Sequence, residues 1–182
     1  MKTESTVKYV ARLALILLAI TAIVAAALAG VNSITKPIIE KLNAEKTQKA
    51  IQAVLPGGGE EVEFTDESGL VSVVYKGEAG YAVQVAPVGF DGAITMMVGV
   101  DFEGNVLGIS VIDQSETAGL GAVCAATTSA GENFRGQFVG MSGTVTVTKD
   151  GGEVNAITGA TITSRAVCKG VSAALACIEN MG

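Results

Sequence analysis

The sequence predicts an α+β protein, with one N-terminal transmembrane helix followed by an antiparallel-sheet domain that has flanking helices. Three observations carry this. Residues Leu13 to Thr35 contain no charged side chain, apolar residues alternate with a period of two through several short runs after residue 70, and Val167, Val171, Ala174 and Ile178 fall on one helical face near the C-terminus. Composition agrees: 49% of the 182 residues are hydrophobic and only 16% charged, against the roughly one quarter charged in ordinary soluble domains.

Residues 1–12 form a short basic tail with Lys2, Lys8 and Arg12 against Glu4. Residues 13–35 hold the span: as a helix, Leu13 to Val31 measures about 28 Å, close to the ~30 Å hydrocarbon core of a bilayer. A cleaved signal peptide is the alternative, because Ala27-Leu28-Ala29 has the small-x-small form of a cleavage site. The apolar stretch exceeds the usual ~7–15-residue core of a signal, which favours an uncleaved anchor. Lys36, Lys41, Lys46 and Lys49 follow the span closely, so the positive-inside count does not decide topology.

Residues 36–60 read as a helical linker. Asn32, Ser33 and Thr35 offer N-caps, Pro37 suits a first turn, and Ile38, Leu42, Ile51 and Val54 mark an amphipathic face. Pro56-Gly57-Gly58-Gly59 ends the helix, and Glu60, Glu61 and Glu63 read as solvated linker. The body, residues 61–182, opens with predicted strands over Leu70–Tyr75, Tyr81–Val88, Ala93–Asp101 and Val106–Asp113, with a fifth over Thr144–Thr148; turn formers such as Phe90-Asp91-Gly92 and Glu103-Gly104-Asn105 separate them. Short helices are expected around Ala122–Thr127 and Glu132–Phe138. A longer one begins near Thr163, with Gly170 small enough for close packing.

The 182 residues include no histidine, which removes His-based triads, His-ligated haem and the commonest general base. Cys124, Cys168 and Cys177 lack the paired spacing of metal clusters and sit among small apolar residues, so they read as buried free thiols. Beyond residue 12 there are nine basic and seventeen acidic residues, a balance that argues against nucleic acid as a partner.

One segment carries chemistry. Asn155-Ala156-Ile157-Thr158-Gly159-Ala160-Thr161-Ile162-Thr163-Ser164-Arg165 sets small residues and four hydroxyls immediately before a helix. Unpaired N–H groups and the macrodipole favour an anion there, which makes the segment a candidate phosphate cradle. Ordinary N-caps explain the same residues, and neither a Walker-A lysine nor a GxGxxG turn is present.

Thr158-Gly159-Ala160-Thr161 matches the S/T-G-A-T motif of the FMN-binding domain family. In order along the chain stand Val31-Asn32-Ser33-Ile34-Thr35-Lys36-Pro37, Gly80-Tyr81 to Gly99-Val100-Asp101, and Glu116-Thr117-Ala118-Gly119-Leu120-Gly121. With these the chain resembles the G subunits of the Rnf electron-transport complexes, relatives of the C subunits of the sodium-translocating NADH:quinone oxidoreductases.

The resemblance implies a membrane-anchored flavoprotein that carries electrons on FMN within an ion-translocating ferredoxin:NAD oxidoreductase complex. It implies a phosphoester between the flavin phosphate and Thr161, made by a separate flavin transferase from FAD, with Thr163 as the main rival attachment point. Thr158, Gly159, Ala160 and Thr163 would frame the phosphate, while Glu116, Thr117, Gly119, Leu120 and Gly121 would contact the cofactor. The other membrane proteins of the Rnf complex and the lipid bilayer are the implied partners, and the body would lie on the extracytoplasmic side of the cell membrane. Two positions depart from the family pattern: Asn155 stands where the transferase motif usually has an acidic residue, and Ala118 where the loop usually has proline. Asn155 favours the alternative of a flavin-free binding or assembly module. For Glu116, a solvent-facing turn residue is the competing reading.

Overall fold

A computed structural model describes residues 2–181, with side chains from Lys8 onward. Helix α1 runs Lys2–Val54 with Pro37 inside it. The expected caps between Asn32 and Thr35 are therefore not used. The Ser33 hydroxyl turns back onto the Ala29 carbonyl at 2.8 Å, as Thr21 does onto Leu18 at 3.0 Å, so both are satisfied within the helix. Two compact units divide between Glu45 and Lys46. In the first, the apolar side chains of α1, among them Leu15, Leu18, Ile23 and Leu28, are exposed.

The second unit is built on a five-stranded antiparallel meander: β1 (Glu60–Val62), β2 (Val71–Lys76), β3 (Tyr81–Val85), β4 (Thr95–Val100) and β5 (Val106–Asp113), in sequential order. Period-two alternation sends Met96 and Val98 to one face and Met97 to the other. On the second face the last turns of α1 bury Ala50, Ile51 and Val54, followed by Leu55, against Ala82 and Met97. Gly99 lets the helix approach, since a Cβ there would lie 2.6 Å from the Val54 carbonyl oxygen.

The first face carries the main core. Helix α3 (Thr161–Glu179) lays Val167, Val171, Ala174 and Ile178 over Val83, Val85, Met96 and Val98. Any side chain at Gly170 would collide with Met96 and Pro87, so glycine sets the distance of α3 from the sheet. Between β5 and α3 lie a 3₁₀ turn (Gly121–Ala125), helix α2 (Ser129–Gly136) and a second 3₁₀ turn (Thr148–Asp150). All three cysteines are buried and free. Burial pushes the Cys124 and Cys168 thiols up to about 11.

Two expectations are corrected. The acidic run is partly an edge strand: Glu60 lies opposite Lys76 and Glu61 opposite Tyr75, so the glutamates point charge outward from the sheet edge. Thr144–Thr148 is not a strand, although Val145 and Val147 are buried as the alternation requires. The Val145 N–H donates to Ser172 Oγ of α3 at 2.8 Å, and the segment keeps only an isolated parallel bridge from Val147 to Val154. Val145 is thus served by the helix face instead of a sheet edge.

Candidate functional site

The first element of the site is the turn before α3. The Ala160 N–H closes on the Ile157 carbonyl at 2.9 Å, with Gly159 at φ +77°, the left-handed third residue of a type II-like turn. A Cβ at Gly159 would in addition lie 2.9 Å from Leu120 Cδ2. Ser164 fastens this turn to the helix: its hydroxyl accepts from Ile157 N–H and donates to the Ala160 carbonyl, both at 2.9 Å. Because the Ser164 N–H makes the first helical bond, to Ala160 at 3.0 Å, α3 starts at Thr161, two residues earlier than expected. Thr161 is thus the first helical residue, and the N–H groups of Thr161, Ile162 and Thr163 precede the hydrogen-bonded ladder.

Glu116 is the second element, and it is buried, contrary to the solvent-facing reading. Its Oε1 accepts from Phe90 N–H at 2.8 Å and Asp91 N–H at 3.1 Å, while Oε2 accepts the Thr163 hydroxyl at 2.5 Å. Glycine surrounds the carboxylate: a Cβ at Gly121 would sit 2.5 Å from Oε2, and one at Gly89 would collide with Oε1. A carboxylate with three donors meets the condition for burying a charge. It also ties the Gly89–Gly92 turn to the first turn of α3.

Between these elements opens a cleft of about 360 Å³, within the size range of small-molecule and cofactor sites. Glu116, Thr117, Leu120, Gly121, Gly159, Ala160, Thr161 and Thr163 line it, so most of the residues singled out in the sequence converge here. Gly119 and Thr158 line a neighbouring cleft of about 570 Å³ instead, together with Asn155. Three lining residues escape a reading of the sequence alone: Phe90, Lys149 and Ile162. Phe90 and Ile162 expose apolar side chains. Lys149 Nζ donates to Thr161 Oγ1 at 3.2 Å. Its only signal in the sequence is a positive charge in a Lys-Asp-Gly-Gly turn, twelve positions before Thr161.

The adjacent Asp150 makes two 2.6 Å bonds with Arg165 of α3, and the guanidinium holds its carboxyl below the usual range. Residues 89–176 match the FMN-binding domain family, a range that includes every residue lining the cleft. The chain is 34% identical to the G subunit of the Na(+)-translocating ferredoxin:NAD(+) oxidoreductase complex of Acetobacterium woodii, over 99% of this chain and 97% of the relative.

The chain belongs to the G subunit family of these complexes.

Other members of the family agree in extent. The G subunit of the ion-translocating oxidoreductase complex of Methanosarcina acetivorans is 34% identical over 92% of this chain and 94% of its own. That of Cronobacter sakazakii is 37% identical over 79% and 78%. This member of the family therefore combines an N-terminal helix long and apolar enough to cross a membrane with an FMN-binding domain.

Proposed function

We propose that this chain is the membrane-anchored electron carrier of an ion-translocating ferredoxin:NAD oxidoreductase complex, and that it holds FMN through a phosphoester to Thr161. The observation that carries the reading is the setting of Thr161: its hydroxyl lines the cleft at the first residue of a 19-residue helix. The unpaired N–H groups of that first turn suit the single negative charge an esterified phosphate keeps. The exposed apolar groups of Phe90, Leu120 and Ile162 would suit a planar aromatic ring. FMN, when bound, supplies the redox chemistry. The chain supplies the attachment oxygen, the helix end that faces the phosphate and the apolar rim that limits water.

The alternative threonines fit less well. Thr163 is only 1% exposed and its hydroxyl is engaged by Glu116. Thr158 belongs to the exposed turn and to the neighbouring cleft. In the attachment step the Thr161 oxygen forms a bond to the flavin-side phosphorus of FAD. The pyrophosphate P–O bond breaks, AMP leaves with the electron pair, and the hydroxyl proton passes to a base of the transferase. The amide at Asn155 leaves this geometry intact, since Asn155 meets Gln137 only through its backbone, at 2.8 and 3.2 Å.

Purified chain co-expressed with a flavin transferase is expected to show a flavin-fluorescent band on a denaturing gel, and Thr161→Ala to lose it completely. A fluorescent band that persists in Thr161→Ala overturns the attachment site, and its absence from the unmutated chain overturns the carrier reading. The body is proposed to face the extracytoplasmic side. An impermeant protease added to intact spheroplasts should then remove the fluorescent band.

A further inference from the structure

We propose that Lys149 is the residue that holds the charge of a phosphate attached at Thr161, with the Asp150–Arg165 pair fixing its reach. The inference rests on the reading of Thr161 as the attachment point, but its evidence is separate. Among the described residues lining the cleft, Lys149 supplies the one positive side chain. The other charged group there, Glu116, already serves Phe90, Asp91 and Thr163. Lys149 Nζ stands 3.2 Å from the oxygen that would carry the phosphorus.

The position of Lys149 is built, although its side chain is exposed. It lies on the 3₁₀ turn Thr148–Asp150, closed by Asp150 N–H to the Val147 carbonyl at 2.8 Å, Gly151 N–H to Thr148 at 3.2 Å and Gly152 N–H to Val147 at 3.1 Å. The next residue, Asp150, grips Arg165 with two parallel bonds of 2.6 Å. Arg165 stands four residues after Thr161, and residues at that spacing share a helix face. The turn that bears the ammonium and the helix that bears the hydroxyl are thus pinned one helical turn from their meeting point.

The direction of the hydrogen bond matters. Lys149 donates to Thr161 Oγ1, so the threonine's own proton points elsewhere and is free to leave when the oxygen attacks. An ester there would leave that oxygen without a proton but still an acceptor, and Lys149, 3.2 Å from it, would offer the same ammonium to the anionic oxygens carried on the phosphorus. Lysine acts here as a mobile point charge, so arginine is a partial substitute and an uncharged side chain of similar length is none.

The test uses full-length chain in detergent with the transferase, and compares wild type, Lys149→Met and Lys149→Arg, with Thr161→Ala as control. Flavin acquisition is followed by gel fluorescence and intact mass. Lys149→Met is expected to load about tenfold more slowly, the lower end for loss of a hydrogen bond to a charged group, and Lys149→Arg to recover most of the rate. Thermal midpoints stay unchanged, because the side chain is exposed. Once fully loaded, the phosphorus NMR resonance of Lys149→Met is shifted from that of wild type. A wild-type loading rate in Lys149→Met, equal slowing in Lys149→Arg, or an unmoved phosphorus resonance each overturns the role of Lys149. Absence of flavin from wild type, or its persistence in Thr161→Ala, instead overturns the attachment reading beneath it.

Discussion

Helices α1 and α3 are both long and apolar enough to cross a bilayer, with mean hydropathy of 2.7 and 1.2 in their most apolar stretches. They use that character in opposite ways. Two thirds of the stretch in α3 is buried by protein and none of that in α1 is. The difference is one of pattern. In α3 the apolar residues form a stripe that the sheet covers, with Arg165 and Lys169 on the exposed side. Around α1, from Leu13 to Val31, no polar stripe exists: Leu15, Leu18, Ile23, Leu28 and Val31 point in all directions. Lipid is the solvent that suits such a surface.

One kind of charge placed on each helix breaks the comparison most sharply. Val171→Asp buries a carboxylate at a fully buried position without a partner, and is expected to destabilise the body by about 4 kcal/mol or more, so that cooperative thermal unfolding disappears. Val24→Asp on α1 leaves the melting of the body unchanged. It costs about 2.5–3.5 kcal/mol of membrane insertion, and adding Leu18→Asp roughly doubles this, so the doubly substituted chain leaves the carbonate-resistant membrane fraction. A body that unfolds on the α1 substitutions, or survives Val171→Asp, contradicts the assignment of the two helices to different solvents.

The clamp at the start of α3 comes next in size. Glu116→Ala leaves the Phe90 and Asp91 N–H groups and the Thr163 hydroxyl without their acceptor, a loss of about 2–4 kcal/mol. Glu116→Gln keeps an amide oxygen for the two N–H groups and loses about half as much. The midpoint of urea unfolding measures both, and equal midpoints for Ala and Gln would show that the contacts contribute little beyond packing.

That clamp also explains what sequence reading reaches and what it misses. Strands β2 to β5 and helix α3 are legible because their period of two or 3.6 survives in each segment alone. The Thr158–Thr161 turn is legible because Gly159 and Thr161 sit in one short motif. Glu116 is legible as a candidate for the cleft but not in its role there, since its partners lie 25, 26 and 47 positions away and only folding joins them. Lys149 is hidden for the same reason: its meaning depends on a bridge between Asp150 and Arg165. Pro37 reads as a helix start because proline is disfavoured inside helices, yet α1 runs through it. The β1 strand is masked by its glutamates, which edge strands tolerate and inner strands do not.

The smallest expected effect concerns pH, and it belongs to the polar turns of the body and not to either apolar helix. Asp101 closes the β4–β5 hairpin: its carboxylate accepts Asn105 N–H at 2.8 Å, Asn105 Nδ2–H at 3.0 Å and Glu103 N–H at 2.9 Å. The Asn105 backbone bond is the chief reason its carboxyl is held below the ordinary value of 3.8. A carboxyl depressed in the folded state stabilises it fully above the unfolded value, and that stabilisation is lost as pH falls through the lower folded value. Asp101→Ala is therefore expected to be less stable than wild type by about 1 kcal/mol at neutral pH. The gap between the two melting curves should hold steady down to pH ~4 and then narrow, because protonation removes from wild type what the substitution has already removed. A gap that stays constant well below that point would mean that Asp101 acts through the shape of the turn, with its charge contributing nothing to the hairpin.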